Sequence, residues 1–227
     1  MAMEATKFST AVNGYDRLVS IYDPMAALYS GGAIPRCKLA VATSVNAGER
    51  VLIVGVGAGQ DAAAAVERGA LLTLVDTSSK MLARAAQRCR RAGAEDLHLY
   101  QDDFRRLDFP GYFDAVIVSF FLNVFSASEL PGIIGHLGTQ LKPGGRILVA
   151  DFSTPPENLI GRSALEFYHG LPLAVFWLLT RNAWHSVHNI PAAAAAAKLR
   201  VVKEQFHPMF GIGPRFFQSL ELRRNRR

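Results

Sequence analysis

The run Val51-Leu52-Ile53-Val54-Gly55-Val56-Gly57-Ala58-Gly59-Gln60-Asp61 constrains this chain more than any other stretch. Four consecutive apolar residues are the pattern of a strand buried on both faces, which implies a parallel sheet covered by helices. Three glycines then mark a turn where backbone must come close to a neighbour. Ala62 to Arg68 reads as the helix that follows, its unpaired N–H groups aimed back at the turn. Strand, glycine loop and helix together form a cradle for a nucleotide-like group. The spacing Gly-x-Gly-x-Gly is one residue short of the dinucleotide pattern, which suits a ligand with no pyrophosphate to seat on the helix. A tight strand-to-helix turn with no ligand fits the same residues.

The next segments repeat the unit. A second strand, Leu71 to Val75, ends at Asp76, 21 residues after Gly55. An acid at that distance can accept both hydroxyl protons of an adenosine ribose, or can serve as an N-cap partner. Thr77 or Ser78 caps a helix over Lys80–Ala92 that stops at Gly93. A third strand, Leu97–Tyr100, leads to Asp102-Asp103-Phe104, where a carboxylate can take an adenine amino group and a backbone N–H a ring nitrogen. The fourth strand is Phe113–Phe121. A helix follows over Ser128–Leu141, capped by Ser126 or Ser128, and Lys142-Pro143-Gly144-Gly145 reads as its stop and turn. Strand five, Arg146–Ala150, ends at Asp151. Strands separated by helices give a parallel sheet with right-handed crossovers, and ligands bind at its carboxyl edge. The glycine loop, Asp76, Asp103, Ser119 and Asp151 all fall there.

The flanks differ from this core. Residues 1–48 form a helical cap carrying Tyr15, Leu18, Val19, Tyr22, Met25, Ala26 and Tyr29 at helical spacing, with a turn at Ser30-Gly31-Gly32 and a second helix over Ala33–Ser44. Its tyrosines suit either core packing or a lid with hydroxyls facing the site. Residues 49–153 are the cofactor-binding core. Residues 154–190 are an apolar insertion rich in aromatics, with His169, His185 and His188. Residues 191–227 comprise a closing helix begun by Pro191, a hairpin of Leu199–Phe206 and Arg215–Leu222, and a basic tail.

At 227 residues, half of them apolar, the chain is expected to be one globular domain. Two cysteines fit a reducing cytosol, and no signal-peptide core opens the chain. The longest apolar run, Leu171–Leu179, is about half of what a membrane span requires. The chain is therefore expected to be cytoplasmic. Lys plus Arg exceeds Asp plus Glu by 6. The excess concentrates in Arg84, Arg88, Arg90 and Arg91 and in the tail Arg223-Arg224-Asn225-Arg226-Arg227. These read as a solvated helix face and a frayed end, or as attraction to an anionic lipid surface and so a peripheral place at the membrane. No basic stripe interleaved with aromatics points to nucleic acid. His185 and His188 lack a third ligand at suitable spacing, so no metal is expected.

Val51–Gly59, Asp76-Thr77-Ser78-Ser79-Lys80-Met81-Leu82, Asp103 ahead of Leu107, Phe113-Asp114 and Leu141-Lys142-Pro143-Gly144-Gly145-Arg146 come in this order and spacing. In these the chain resembles a class I S-adenosylmethionine-dependent methyltransferase. The resemblance implies a Rossmann-like, doubly wound α/β fold with a seven-stranded sheet whose last strand is antiparallel. Within that family, Tyr22-Asp23, Ser30-Gly31-Gly32 and Asp151-Phe152-Ser153 look most similar to the ubiquinone/menaquinone C-methyltransferases and related lipid N-methyltransferases.

The resemblance also implies roles. Gly55, Gly57 and Gly59 let the loop approach the methionine part of the cofactor. Asp76 holds the ribose beside Thr77, and Met81 packs near the adenine. Asp103 takes the adenine amino group and Phe104 gives a backbone N–H. Ser119 and Phe120 lie beside the sulfonium, and Tyr22 contacts the methionine end. One departure stands out: Ile53 occupies the position where the family carries the acid that anchors the cofactor's ammonium group, with Gln60 and Asp61 as substitutes. A sulfonium is already a strong methyl donor, so alignment and exclusion of water are the main requirements. Tyr22, Asp151 and His185 are the candidates for a catalytic role, with Asn123 and His169 beside them. The expected substrate is a lipophilic small molecule or lipid, quinone-like or phospholipid. A soluble aromatic metabolite, or a drifted binding subunit without turnover, are the alternatives. Oligomeric state is left open.

Overall fold

The computed structural model describes residues 22–154, 159, 161, 163–168, 170 and 187–225. Two helices lead into the sheet: α1, Tyr22–Tyr29, and α2, Ala33–Ala42. The turn between them runs through Gly31 and Gly32, both at positive φ. The core then alternates: β1 Arg50–Val54, α3 Gln60–Glu67, β2 Leu71–Val75, α4 Ser79–Arg91, β3 Leu97–Tyr100, β4 Phe113–Ser119, α5 Leu130–Thr139 and β5 Leu141–Phe152. After the insertion come α6 Ile190–Ala196, β6 Leu199–Phe206 and β7 Phe217–Arg224.

The seven strands lie in the order β3-β2-β1-β4-β5-β7-β6. Strands β1 to β5 are parallel, and β7 runs antiparallel to both β5 and β6. Alternate residues of each central strand feed opposite layers. Leu52, Val54, Val116, Val118, Ile147 and Val149 pack with α5 and α6. Val51, Ile53, Leu72, Leu74, Ile117 and Leu148 pack with α2, α3 and α4. Because both faces are covered, the strands read as unbroken apolar runs.

Local chemistry sets the element ends, with three departures from expectation at α5, β4 and β7. Ser78, not Thr77, caps α4, accepting the Met81 N–H at 3.2 Å. Helix α5 begins at Leu130, and neither Ser126 nor Ser128 caps it. Instead Glu129 reaches back to the Ser126 N–H at 2.9 Å. Strand β4 stops at Ser119 because Phe120 has φ 52, which ends extended geometry. Strand β7 begins two residues late, at Phe217.

The Lys142–Gly145 stretch is not a free turn ahead of β5 but a bulge within it. Phe113 pairs with Leu141 while Ala115 pairs with Arg146, so the extra residues loop out, with Gly144 at φ 83. The bulge brings Lys142 Nζ within 2.7 Å of Asp114, whose other oxygen accepts the Arg50 N–H at 2.8 Å. The amino ends of β1, β4 and β5 are thereby tied together. Beside them Arg146 bonds both carboxylate oxygens of Glu49, at 2.9 and 2.8 Å. This charged work sits at the amino edge and leaves the carboxyl edge to function.

Candidate functional site

The glycine loop lies where the sequence puts it, between β1 and α3. Its first N–H, from Gly55, donates to the Val75 carbonyl at 2.9 Å, which fixes the loop beside the end of β2. Asp76 is the next residue, so this acid and the glycine loop are neighbours. Asp76 Oδ1 accepts the Ser78 N–H at 2.9 Å, and its own N–H bonds the Tyr100 carbonyl. The cap reading of Asp76 is thus met at Oδ1. Gly57 has φ 51 and nothing within 4 Å of where a Cβ would project, so this part of the loop borders open space. Thr77 is half-buried and Met81, in the first turn of α4, is buried.

Asp103 caps a short 3-10 turn, Phe104–Arg106, and grips Arg105 through both carboxylate oxygens. The Arg105 bonds hold its carboxyl below the usual range, against a burial effect that alone would raise it. Phe104 is buried against Phe121 and Phe125, and its N–H, first in the turn, has no helical carbonyl to meet.

The β4 end is unusual. Ser119 is 6 % exposed and its hydroxyl has no partner. Phe120, at positive φ, bonds the Ala150 carbonyl at 2.7 Å. That bend lays the Phe121 ring against Gly55, where any Cβ would be 2.3 Å away. Such strain concentrates at working sites. Ile53 is buried in the apolar layer beside Ala62 and Ile117. Asp61, a substitute for the missing acid, is also buried and accepts the Ala62 N–H at 3.1 Å, whereas Gln60 is half-buried at the start of α3.

Asp151, at the end of β5, is 2 % exposed. Burial raises its pKa to about 7, although Phe152, Asn123 and Leu122 donors counter that rise. One oxygen accepts the Phe152 N–H at 2.8 Å, and the other has no partner. Tyr22 opens α1, but its side chain lies outside the described residues, as do His169 and His185. His188 is a buried histidine bonded to the Phe125 carbonyl at 2.8 Å.

Sequence reading missed an aromatic cluster at this edge. Phe120, Phe152 and Phe217 meet at 5.2 to 6.0 Å, and Tyr168 stacks over Tyr29 at 4.4 Å and approaches Phe216 at 5.0 Å. The two tyrosines bond reciprocally: Tyr29 Oη donates to the Tyr168 carbonyl at 2.7 Å and Tyr168 Oη to the Tyr29 carbonyl at 2.6 Å. Burial raises both phenols, Tyr168 to about 12, so neither serves as a base near neutrality. The Phe216-Phe217 doublet was the available signal, but the sequence reading placed it only within the closing hairpin.

Comparison with known proteins agrees with this geometry. Residues 51–145 match the family model described as methyltransferase domain. The demethylmenaquinone methyltransferase of Clavibacter sepedonicus is 33 % identical over 172 residues, covering 74 % of this chain and 69 % of that protein. A protein of the same name from Tropheryma whipplei (strain Twist) is 38 % identical over 120 residues, 52 % of this chain, and there the chain spans about half (47 %) of the relative. In fold, the Burkholderia thailandensis 1,6-didemethyltoxoflavin-N1-methyltransferase, solved with S-adenosylhomocysteine, superposes with TM-score 0.68. It is 19 % identical, over 95 % of this chain and 88 % of that one. The open loop at Gly57, the acid beside it and the orphaned Ser119 hydroxyl fit a nucleoside cofactor with a polar tail. The chain belongs to the S-adenosylmethionine-dependent methyltransferases, in the branch that includes the demethylmenaquinone methyltransferases.

Proposed function

We propose that the protein methylates a lipophilic aromatic acceptor of quinone type, held against the aromatic cluster of Phe120, Phe152, Phe216, Phe217, Tyr29 and Tyr168. The observation that supports this reading is the place of these rings at the carboxyl edge, where Phe120 follows Ser119 and Phe121 packs on Gly55. Flat rings with no charge among them suit a flat, uncharged acceptor. The relatives' names point the same way.

The bound cofactor supplies an electrophilic methyl group. In this reading Gly55, Gly57 and Gly59 receive its methionine part, Asp76 its ribose hydroxyls and Asp103 with Phe104 its adenine. Met81 packs beneath the ring. Asp103 shares its carboxylate between Arg105 and the adenine amino group. Ile53 leaves the ammonium to Gln60 or to water. The acceptor is drawn from a membrane surface, where exposed Leu28, Phe210 and Ile212 and the basic excess would make peripheral contact. Among the described residues, no helix is long and apolar enough to cross a membrane.

Calorimetric titration with S-adenosylmethionine and S-adenosylhomocysteine tests the cofactor site. Wild type is expected to bind both at micromolar Kd, and Asp76→Ala to bind at least about 30-fold more weakly, since two charge-assisted bonds are lost. Wild type that binds neither ligand would overturn the reading and leave a methyltransferase fold without turnover, as Ile53 would allow.

A further inference from the structure

The arginines that end β7 are engaged within the fold. Arg223 bonds Glu221 at 2.6 Å and the Gly144 carbonyl at 3.2 Å, and Arg224 bonds the Gly138 carbonyl at 2.6 Å. Arg36 and Lys203 are placed differently. With Leu39, Thr43, Gln205 and His207 they line a groove of about 460 Å³ between α2 and β6. Lys203 and Gln205 reach it because they pair with Glu221 and Ser219 of β7, on the sheet face that α2 covers. Both cations are exposed, and neither has a carboxylate partner among the described residues. Arg36 donates to two neutral carbonyls, Pro208 at 2.6 Å and Gly31 at 3.5 Å, so its charge stays uncompensated. His207, 5 % exposed and bonded to the Ser219 hydroxyl at 2.9 Å, registers that charge: burial and then Arg36 push its pKa below the ordinary value. Such a groove suits an anion with several oxygen acceptors, of which phosphate is the common one.

One end of the groove is apolar. The Arg36 bond to Pro208, and a bond from the Phe210 N–H to the Gly31 carbonyl at 3.1 Å, join the β6–β7 loop to the α1–α2 turn. Phe210 and Ile212 of that loop are 75 % and 95 % exposed, and Leu28, in the last turn of α1, is 83 % exposed. Phe210 has φ 52, a left-handed backbone that is unfavourable for a bulky residue, yet its ring stays largely outside. The ring lies over Gly31, where any Cβ would meet it at 2.9 Å. Strain held without packing to offset it marks a working segment. The exposed Arg215 closes the loop, its guanidinium 6.0 Å from the Phe206 ring. The tip rises from the carboxyl edge, because β7 begins at Phe217, the partner of Phe152 at the end of β5.

We propose that this corner docks on an anionic phospholipid bilayer, with a lipid phosphate in the groove between Arg36 and Lys203 and with Phe210, Ile212 and Leu28 in the acyl boundary. An apolar tip alone would suit a protein partner, and a basic groove alone a soluble phosphate. The Arg36 bond makes the two continuous, and an anionic bilayer is the surface that offers phosphate and hydrocarbon side by side. This rests on the part of the reading above that draws the acceptor from a membrane surface, and it names the contact. Phe216 and Phe217 stand where the same loop returns to the sheet, so an acceptor leaving the bilayer at the tip meets the aromatic cluster. The arginines of α4 have no part in this contact, since β2 and β3, which α4 connects, lie at the opposite end of the sheet from β6.

Co-sedimentation of the full chain with phosphatidylcholine vesicles, with and without phosphatidylglycerol, tests the contact. Wild type is expected to bind the anionic vesicles at least about tenfold more tightly than the neutral ones. Lys203→Gln should weaken that binding about fivefold, the effect of one cation at an anionic surface. Ile212→Ser should weaken it about tenfold through lost apolar burial. Both side chains are exposed, so neither change should move the melting temperature. Arg91→Gln, at the exposed end of α4, is the control and should bind as wild type does. Equal binding of wild type to both vesicles, or to neither, overturns the proposal. So do wild-type affinity in Lys203→Gln and Ile212→Ser, and a loss in Arg91→Gln as large as that in Lys203→Gln. Two rival occupants have signatures of their own. Glycerol phosphate that binds in calorimetry while vesicles do not makes the groove a site for a soluble phosphate. Self-association in sedimentation velocity that Ile212→Ser abolishes, without vesicle binding, puts a second copy on the tip. Either result overturns the proposal. Titration of the same samples with S-adenosylhomocysteine keeps the two readings apart: no cofactor binding overturns the methyltransferase reading, whereas intact cofactor binding without vesicle binding overturns the docking alone.

Discussion

Gly59→Ala is expected to destabilise the protein by about 2–5 kcal/mol, and to do so by two additive routes. Gly59 has φ 75, and left-handed backbone costs an alanine about 1–2 kcal/mol. The added Cβ would also lie 2.6 Å from the Ala85 Cα and 2.7 Å from its Cβ. Those atoms belong to α4, whose backbone cannot step aside cheaply, and overpacking of this kind costs about 1–3 kcal/mol. Gly57→Ala is the matched control. Its φ is 51, so it bears the backbone cost, but open space meets its Cβ. It should lose about 1 kcal/mol of stability and most of its cofactor affinity. Urea unfolding followed by circular dichroism, with a parallel titration of S-adenosylhomocysteine, separates the two. Equal stability losses at the two positions would show that the α3–α4 contact is not what selects glycine at 59.

Arg146→Met should be comparably damaging, at about 3–5 kcal/mol, because it strands a carboxylate. The side chains of Arg146 and Glu49 are only 9 % and 17 % exposed. Removing one partner of a buried pair leaves the other charged and desolvated. The double variant Arg146→Met/Glu49→Gln should recover most of the loss, and a double as unstable as the single would refute this account. The pair also fixes the sign of the acid response. Its bonds to Arg146 and Asn46 hold Glu49 at about 2, against an ordinary 4.5, although its burial acts the other way. A depressed carboxylate stabilises the fold above its unfolded value. That contribution, about 3 kcal/mol, is present above pH 4.5 and lost as pH falls toward 2. Asp151 has the opposite sign. Its raised folded pKa favours the native state at low pH, and that advantage fades between its ordinary 3.8 and about 7. Thermal unfolding should therefore peak near pH 4–5, and Asp151→Asn should flatten the decline toward neutrality while leaving the acid limb intact.

The parts of this fold legible in the sequence are those with local causes. Strands β1 and β2 announce themselves as short apolar runs, and the Ser78 hydroxyl and the left-handed backbone of Gly93 bound α4 by chemistry that acts within a few residues. The glycine loop and Asp76 follow from the same strand–turn–helix logic, and the structure sets them side by side. What stayed hidden depends on pairing. Proline and two glycines at 143–145 signal a turn, and only the register against Phe113 and Ala115 makes them a bulge. Gln218 looks like an ordinary polar residue in a closing hairpin until β7 sets it opposite Asp151. The positive φ of Phe120 has no signal in a phenylalanine. Tyr29 and Tyr168 are 139 positions apart, and nothing local links them.

That last pair has a consequence for how relatives should vary. Each phenol satisfies the other residue's main-chain carbonyl, so the two positions are bound by a mutual obligation and not by similarity. Phenylalanine at either one leaves a carbonyl without its donor and gains nothing in shape. Divergent members that abandon tyrosine at one position should therefore abandon it at both, and a phylogeny in which the two are gained and lost independently would show that the clasp is incidental.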